Sequence, residues 1–487
     1  MKLVYDVSDR PSFNKTLLFA FQQMIAIMAA TLLVPMLVTS YGLDADPAAA
    51  LFGAGIGTLV YIFFTKKKSP VFLGSSFTFL GAYAASIGQN FGYLGIIIGV
   101  FFAGMVYVVI GIIIRFIGSS WVNKLMPAVI IGPIVALIGL SLSGTATGWM
   151  ATNGGDNYSL ITIIVGSITF FAIVVASVKG SDNIKLIPFI VGIGVGYAFA
   201  LALTLIGRAA DIQSLQILSF DSFKAAFVPF NVQSIVKVPN FFFFRAIQEK
   251  GWETLSAADI GSIALIYVPI GIVELAQHIA DHKNLGNIIN KDLITDPGLD
   301  NTLFGDGIGS IVGSIFGGAA NTTYGESIGC VAITGNASIV TIACASLGCM
   351  LLSTFTPFVA LINSIPKCVM GGACVALYGF IAVSGLQMLR KVDLNNNKNL
   401  FIVSGILVTG IGGLTLDFGY NEMTQGPILS ITALAVAFIF GIVTNLIVNN
   451  GKFVSDSSEL DNKTQPEALA AKGVTPAKPR KDKKKGK

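Results

Sequence analysis

Apolar segments close to the length of a bilayer crossing recur along almost the entire chain. They fall near 17–39, 47–64, 71–87, 93–117, 126–143, 158–178, 184–207, 258–281, 301–317, 323–335, 337–362, 368–389, 399–415 and 426–448. Most reach the ~20 residues that a spanning helix needs. Inside lipid each backbone N–H and C=O must be satisfied by the chain itself, which favours helices. The pattern therefore predicts an all-α polytopic membrane protein with about fourteen transmembrane segments. Charge agrees: 12% of the 487 residues are charged, against about 25% in a soluble domain. The polar lead carries Asp6, Asp9 and Arg10, and the run from Leu17 is too long for a signal-peptide core. The first span is expected to act as the insertion signal.

Basic residues set the expected orientation. Alternate short loops carry Lys66 to Lys68, Arg115 and Lys124, Lys179 and Lys185, Lys283 and Lys291, and Arg390, Lys391 and Lys398. The intervening short loops carry none apart from Lys367. This supports a multi-pass chain with both termini in the cytoplasm. The net charge of +5 points to anionic membrane lipid as a partner and not to nucleic acid.

Two features indicate duplication. The third and tenth segments are short or interrupted by Gly and polar residues, and they match if the chain is two sevenfold halves. Broken segments at equivalent positions mark inverted-repeat transporters and their binding sites. The fifth and twelfth segments also read alike, Pro127 to Gly144 as PAVIIGPIVALIGLSLSG and Pro366 to Gly385 as PKCVMGGACVALYGFIAVSG. The stretch 208–257 links the halves, and its run Phe241 to Phe244 reads as an interfacial anchor. The tail 450–487 is basic and is expected to be disordered near lipid headgroups.

Polar side chains at membrane depth are the candidate functional residues, since a charge there is costly and needs a reason. Glu326, in Asn321-Thr322-Thr323-Tyr324-Gly325-Glu326, reads as a substrate ligand at the start of a half-helix. Gly74-Ser75-Ser76-Phe77 suits irregular backbone beside a cavity, and Phe77 serves either ring stacking or packing. The eighth segment holds Glu274, Gln277, His278, Asp281 and His282. The spacing of Glu274, Gln277 and Asp281 puts them on one helix face. For Glu274 the plainer reading is a buried ion pair, and for His282 a solvated helix end. Gln22 and Gln23 serve helix packing or ligand contact. The two histidines have no partner set for a metal, and the five cysteines read as small buried hydrophobes.

At these residues the chain resembles the nucleobase–ascorbate transporter (nucleobase:cation symporter-2) family, in its bacterial uracil-permease branch. The resemblance covers nearly all of residues 10–450. It rests on FLGSSF at 72–77, DPGL at 296–299, NTTYGESIG at 321–329 and GFIAVSGLQML at 379–389. It implies two inverted seven-span repeats with short strands in spans 3 and 10. It divides the chain into a lead (1–16), core spans 1–4 (17–117), gate spans 5–7 (118–207), an extracellular linker (208–257), core spans 8–11 (258–362), gate spans 12–14 (363–449) and the tail (450–487). It implies a homodimer whose cores move against the gates. Residue by residue, Phe77 matches the stacking aromatic and Glu326 the base-binding carboxylate. Tyr324 and Gly325 match main-chain contacts, with Gln23, Ser76 and His278 in support.

Two positions depart from the family. Gln277 stands where a substrate carboxylate is usual, in Gln277-His278-Ile279-Ala280-Asp281, and Gln22-Gln23 replaces a Gln-His pair. Gln277 can pair with an imide edge but cannot carry a proton. Coupling then falls to Glu274, Asp281 or Glu326. The expectation is a uracil:proton symporter with no cofactor and no catalytic residue. A purine (xanthine or uric acid) permease and a passive nucleobase channel are the alternatives. The sulfate-type anion transporters are a further relative by fold.

Overall fold

The computed structural model describes residues 3–451 apart from 120, 122–126, 186, 391 and 420–428. The basic tail from 452 onward, Lys124 and Lys391 lie outside the described residues. The chain is mostly helical. It begins with α1 (Phe13–Ser40) and α2 (Pro47–Phe64). Strand β1 (Leu73–Ser75) follows, with a single 3-10 turn at Phe77–Phe79 leading into α3 (Leu80–Gly88). Next come α4 (Gly92–Ile117), α5 (Ala128–Ser141), α6 (Ser143–Thr152), α7 (Leu160–Lys179) and α8 (Pro188–Ala209). Beyond the linker lie α9 (Ala257–Ile289), α10 (Leu299–Gly317), strand β2 (Asn321–Thr323) and α11 (Gly325–Thr334). The chain closes with α12 (Ile339–Ser353), α13 (Lys367–Leu389), α14 (Asn397–Ile411) and α15 (Ala433–Val448). Among the described residues, eight helices are long and apolar enough to cross a bilayer by length and composition.

Small residues decide which helices meet. Without a hydrophobic gain between helices in lipid, close backbone approach supplies the packing energy. Helix α10 lies against α2 and α4 through facing glycines: Gly53 sits on the Gly313 carbonyl, Gly57 on Gly309, and Gly104 on Gly307. Helix α13 meets α5 in the same way, with Gly385 against Gly132 and Gly139 against Tyr378 and Ala382. These are the two segments whose sequences read alike.

Strands β1 and β2 pair antiparallel, Leu73 opposite Thr323 and Ser75 opposite Asn321. Extended backbone can lie at this depth because its polar groups are bonded within the protein. The Leu73 amide donates to Thr58 Oγ1 at 2.9 Å and the Phe72 amide to Ser327 Oγ at 2.9 Å. The Ser76 amide donates to the Ala320 carbonyl at 2.8 Å, and the Ala320 amide to Tyr83 Oη at 2.7 Å. Gly318, at φ +72°, closes α10 and turns the chain into β2.

The linker and the polar lead carry structure of their own. The linker contains short helices at Asp221–Phe227 and Phe242–Gln248. Within the run, Phe241 and Phe242 are buried, Phe241 on Phe52 and Phe316 and Phe242 on Tyr93, while Phe244 is exposed. The polar lead is a strap: Tyr5 bridges Asn336, Asp6 pairs with Lys291 at 2.8 Å, and Ser338 Oγ donates to the Asp9 carbonyl at 2.6 Å. The Lys291 ammonium holds the Asp6 carboxyl below its ordinary value.

Candidate functional site

A cavity of about 590 Å³ opens where β1, β2, α9 and α11 converge. Its polar wall carries Ser76, Phe77, Gln277, Asp281, Thr322, Tyr324, Gly325 and Glu326. The facing wall comes from α5, α8 and α13 and is largely apolar, with Val135, Ile138, Phe189, Leu377, Phe380 and Ile381. The lining continues to Lys185, Asn284 and Met388, near the helix ends that carry the expected cytoplasmic lysines.

Both half-helices begin at this cavity. The first amides of a helix have no intrahelical acceptor and carry partial positive charge. Tyr324 is the N-cap of α11 and offers no side-chain cap. Gly325 is exposed to the cavity, and a Cβ there would meet nothing within 4 Å. The carboxylate of Glu326 folds back toward its own amide. The starts of the two half-helices are locked to each other: the Tyr324 ring lies against Gly74, and its hydroxyl donates to the Ser75 carbonyl at 2.7 Å. Phe77 meets Tyr378 edge-on, with centroids 5.6 Å apart.

The candidate residues divide into three groups. Phe77, Ser76, Gln277, Asp281, Tyr324, Gly325 and Glu326 share the cavity. Asp281 lines the same space as Glu326 and accepts from Thr323 Oγ1 at 2.8 Å. Gln23 stands behind it: its amide donates to Ser327 Oγ, the hydroxyl that also holds the Phe72 amide. It is a brace between α1, α11 and the approach to β1.

Glu274 and His278 lie elsewhere. Glu274 is 1% exposed, and among the described residues neither of its oxygens completes a hydrogen bond and it enters no ion pair. It lines a separate small void with Tyr107, Gly307, Ser310 and Thr322, within reach of the Thr78, Thr322 and Ser76 hydroxyls. The helix-face spacing with Asp281 is right, but Glu274 is not among the residues that line the cavity; Ser76, Thr78 and Thr322, which do, reach it from that side. His278 pairs with Asp306 and not with Glu274: Nδ1 is 2.5 Å from Asp306 Oδ2. His282 is 1% exposed, which corrects the solvated reading. It bonds the His278 carbonyl through Nδ1 at 2.7 Å and Tyr61 Oη through Nε2 at 2.7 Å.

Asp306 escaped the sequence reading. It is fully buried on α10, and its signal was present as a carboxylate inside a glycine-rich apolar segment. Tyr61 and Thr302 left no comparable trace, because only the fold brings them to α9.

Comparisons with known proteins give the family. A xanthine/uracil permease model, described as "Permease family", matches residues 14–418. The uracil permease of Bacillus caldolyticus is 38% identical over 450 residues, spanning 92% of this chain and 95% of its own. The uracil permease of Escherichia coli (strain K12) is 31% identical over 459 residues, spanning 93% and 97%. Among solved structures, the transmembrane domain of the cyanobacterial bicarbonate transporter BicA aligns with TM-score 0.55 at 13% identity, over 89% of this chain and all of that one. That likeness speaks for the fold alone.

Proposed function

The chain belongs to the xanthine/uracil permease family, and we propose on that footing that it carries uracil into the cell in symport with a proton. Its relatives are permeases and not enzymes, and its apolar helices make it a multi-pass membrane protein. The observation that carries the substrate reading is the cavity into which Phe77, Gln277, Glu326 and the open start of α11 converge. A flat ring stacks on Phe77. Its N–H and C=O edge meets the Gln277 amide, which both donates and accepts. Glu326 accepts a second ring N–H, and the free amides at Gly325 receive a ring carbonyl.

The fourteen-span inverted repeat is part of this reading. The pairings α2 with α10, β1 with β2, and α5 with α13 support it, since each joins elements seven segments apart in the sequence. The core and gate division is supported by the two unlike cavity walls, one polar and one apolar. In this reading the lysine-bearing face is cytoplasmic, the membrane is the plasma membrane, and the cavity opens inward. The protein works as a homodimer. An intramembrane carboxylate takes the proton when desolvated and gives it up when the cavity opens.

Uptake of radiolabelled uracil into proteoliposomes tests the reading. An imposed pH gradient, acid outside, is expected to drive accumulation, and no response to the gradient removes the symport. Competition with a panel of bases separates uracil from xanthine or uric acid. Glu326→Gln keeps the shape and loses the charge. A hydrogen bond to a charged group contributes about 1.5–3 kcal/mol, so uracil affinity should fall roughly 10- to 100-fold. Retained affinity in equilibrium binding would sink the assignment.

A further inference from the structure

Behind the cavity lies a buried chain of titratable groups that base binding does not use. On one side, Asp306 Oδ2 and His278 Nδ1 are 2.5 Å apart, and His278 Nε2 is 3.1 Å from Thr302 Oγ1. The Thr302 hydroxyl has a second choice, the Leu299 carbonyl at 3.0 Å. It donates to the imidazole when the ring is neutral and to the carbonyl when Nε2 carries a proton. On the other side, His282 Nδ1 is 2.7 Å from the His278 carbonyl. A carbonyl only accepts, so Nδ1 holds a hydrogen and the neutral ring has its lone pair on Nε2. Nε2 is 2.7 Å from Tyr61 Oη, whose hydroxyl donates to Ser69 Oγ at 2.7 Å when Nε2 carries a proton and turns to Nε2 when it does not. Ser69 is buried and adjoins the exposed turn Lys66 to Lys68. The imidazoles themselves stand 4.1 Å apart, centroid to centroid.

We propose that His282 is a proton-binding site of the transport cycle, filled and emptied through Tyr61 and Ser69 from the Lys66–Lys68 face, and coupled by charge to the His278–Asp306 pair. The proposal rests on the uracil:proton reading above. The path conserves protons. To empty, His282 Nε2 gives its proton to Tyr61 Oη, Tyr61 gives its own to Ser69, and Ser69 gives its own to water at the turn. One N–H and two O–H bonds break, three O–H bonds form, and one proton leaves. Rotation of the two hydroxyls resets the chain. Two cations cannot share rings this close in a low-dielectric interior, so charge on His278 excludes charge on His282. The titratable groups facing the two rings are Tyr61 from α2, Tyr107 from α4 and Asp306 from α10, with Glu274, Asp281 and Lys283 on α9 itself. The cavity reports to this pair through Thr323. Its hydroxyl holds Asp281, which lines the cavity, and its amide faces Asp306.

Two variants test the proposal. Tyr61→Phe keeps the ring and breaks the chain. His282→Gln can still donate to the His278 carbonyl and accept from Tyr61, yet cannot hold a proton. Both are expected to retain uracil counterflow, which needs binding and movement but no net proton transfer. Both are expected to lose most of the accumulation driven by a pH gradient. Accumulation equal to wild type in both overturns the proposal. So does a parallel loss of counterflow and melting temperature, which a merely structural network would give. If the wild type itself ignores the gradient, the symport reading fails first, and imidazole nitrogen NMR decides this one separately. The chain has only two histidines, so ring signals assign by difference against His282→Gln. A His282 ring that changes protonation between about pH 4 and pH 8 supports the proposal, and one that stays neutral throughout overturns it.

Discussion

At the residue scale, Gln277 is the most informative position. Its amide lines the cavity beside Asp281 and Glu326, and it can satisfy an N–H and an adjoining C=O at once, whatever the pH. A carboxylate at the same place accepts but donates only when protonated. Gln277→Glu should therefore introduce a pH dependence into uracil binding. Affinity at pH 8 is expected to fall about tenfold through one mismatched carbonyl, and acidification is expected to restore it, a dependence added to the proton linkage that the wild type shows over the same range. Equilibrium binding at several pH values checks this, and equal profiles for the two proteins would remove Gln277 from the base-binding edge. This residue was legible as a departure from a family pattern. Asp306 was legible in principle as a carboxylate in an apolar segment. The burial of His282 was not, because a histidine one residue before Lys283 reads as a helix end until α2 is seen to supply Tyr61.

At the element scale, the site is made by two interrupted segments that meet. β1 and β2 are three residues each, far too short to be stable alone. They persist because Thr58, Tyr83, Ser310 and Ser327 satisfy their flanking backbone groups. The interruptions were readable from Gly-Ser-Ser and Asn-Thr-Thr within apolar runs. Their partners were not, since those hydroxyls come from four different elements. The lock between the two half-helix starts is the Tyr324 ring on Gly74. A Cβ at position 74 would sit inside that ring. Overpacking of this kind costs about 1–3 kcal/mol. Gly74→Ala should lower the melting temperature and abolish uracil binding. Tyr324→Phe keeps the packing and loses the hydroxyl that bonds the Ser75 carbonyl and meets Thr31, so it should melt closer to wild type than Gly74→Ala and bind more weakly. Thermal unfolding with and without uracil separates the two, and a Gly74→Ala protein that binds normally would show the lock to be dispensable.

At the scale of the whole molecule, the question is whether the cavity belongs to a carrier or to a pore. The series of apolar segments made the helical architecture readable, because lipid leaves the backbone few choices. It did not reveal which helices embrace, since that depends on glycines meeting glycines across α2, α10 and α4. The cavity's lining runs from Glu326 to Asn284 and Met388, toward the helix ends where Lys68 pairs with Asp296 and Arg115 with Asp300. A carrier closed on the far side should admit a polar reagent from this face alone, whereas a passive channel admits it from both. Asn284→Cys offers the probe. Cys330 also lines the cavity, so it is first replaced by Ser. A membrane-impermeant maleimide is expected to label the new thiol in inside-out vesicles and to spare it in right-side-out ones. Saturating uracil should slow that labelling, by occupying the space between Phe77 and Glu326 and by drawing the protein toward closed states. Equal labelling from both faces, unaffected by uracil, would mean an open path through the membrane, and the carrier reading would fall with it.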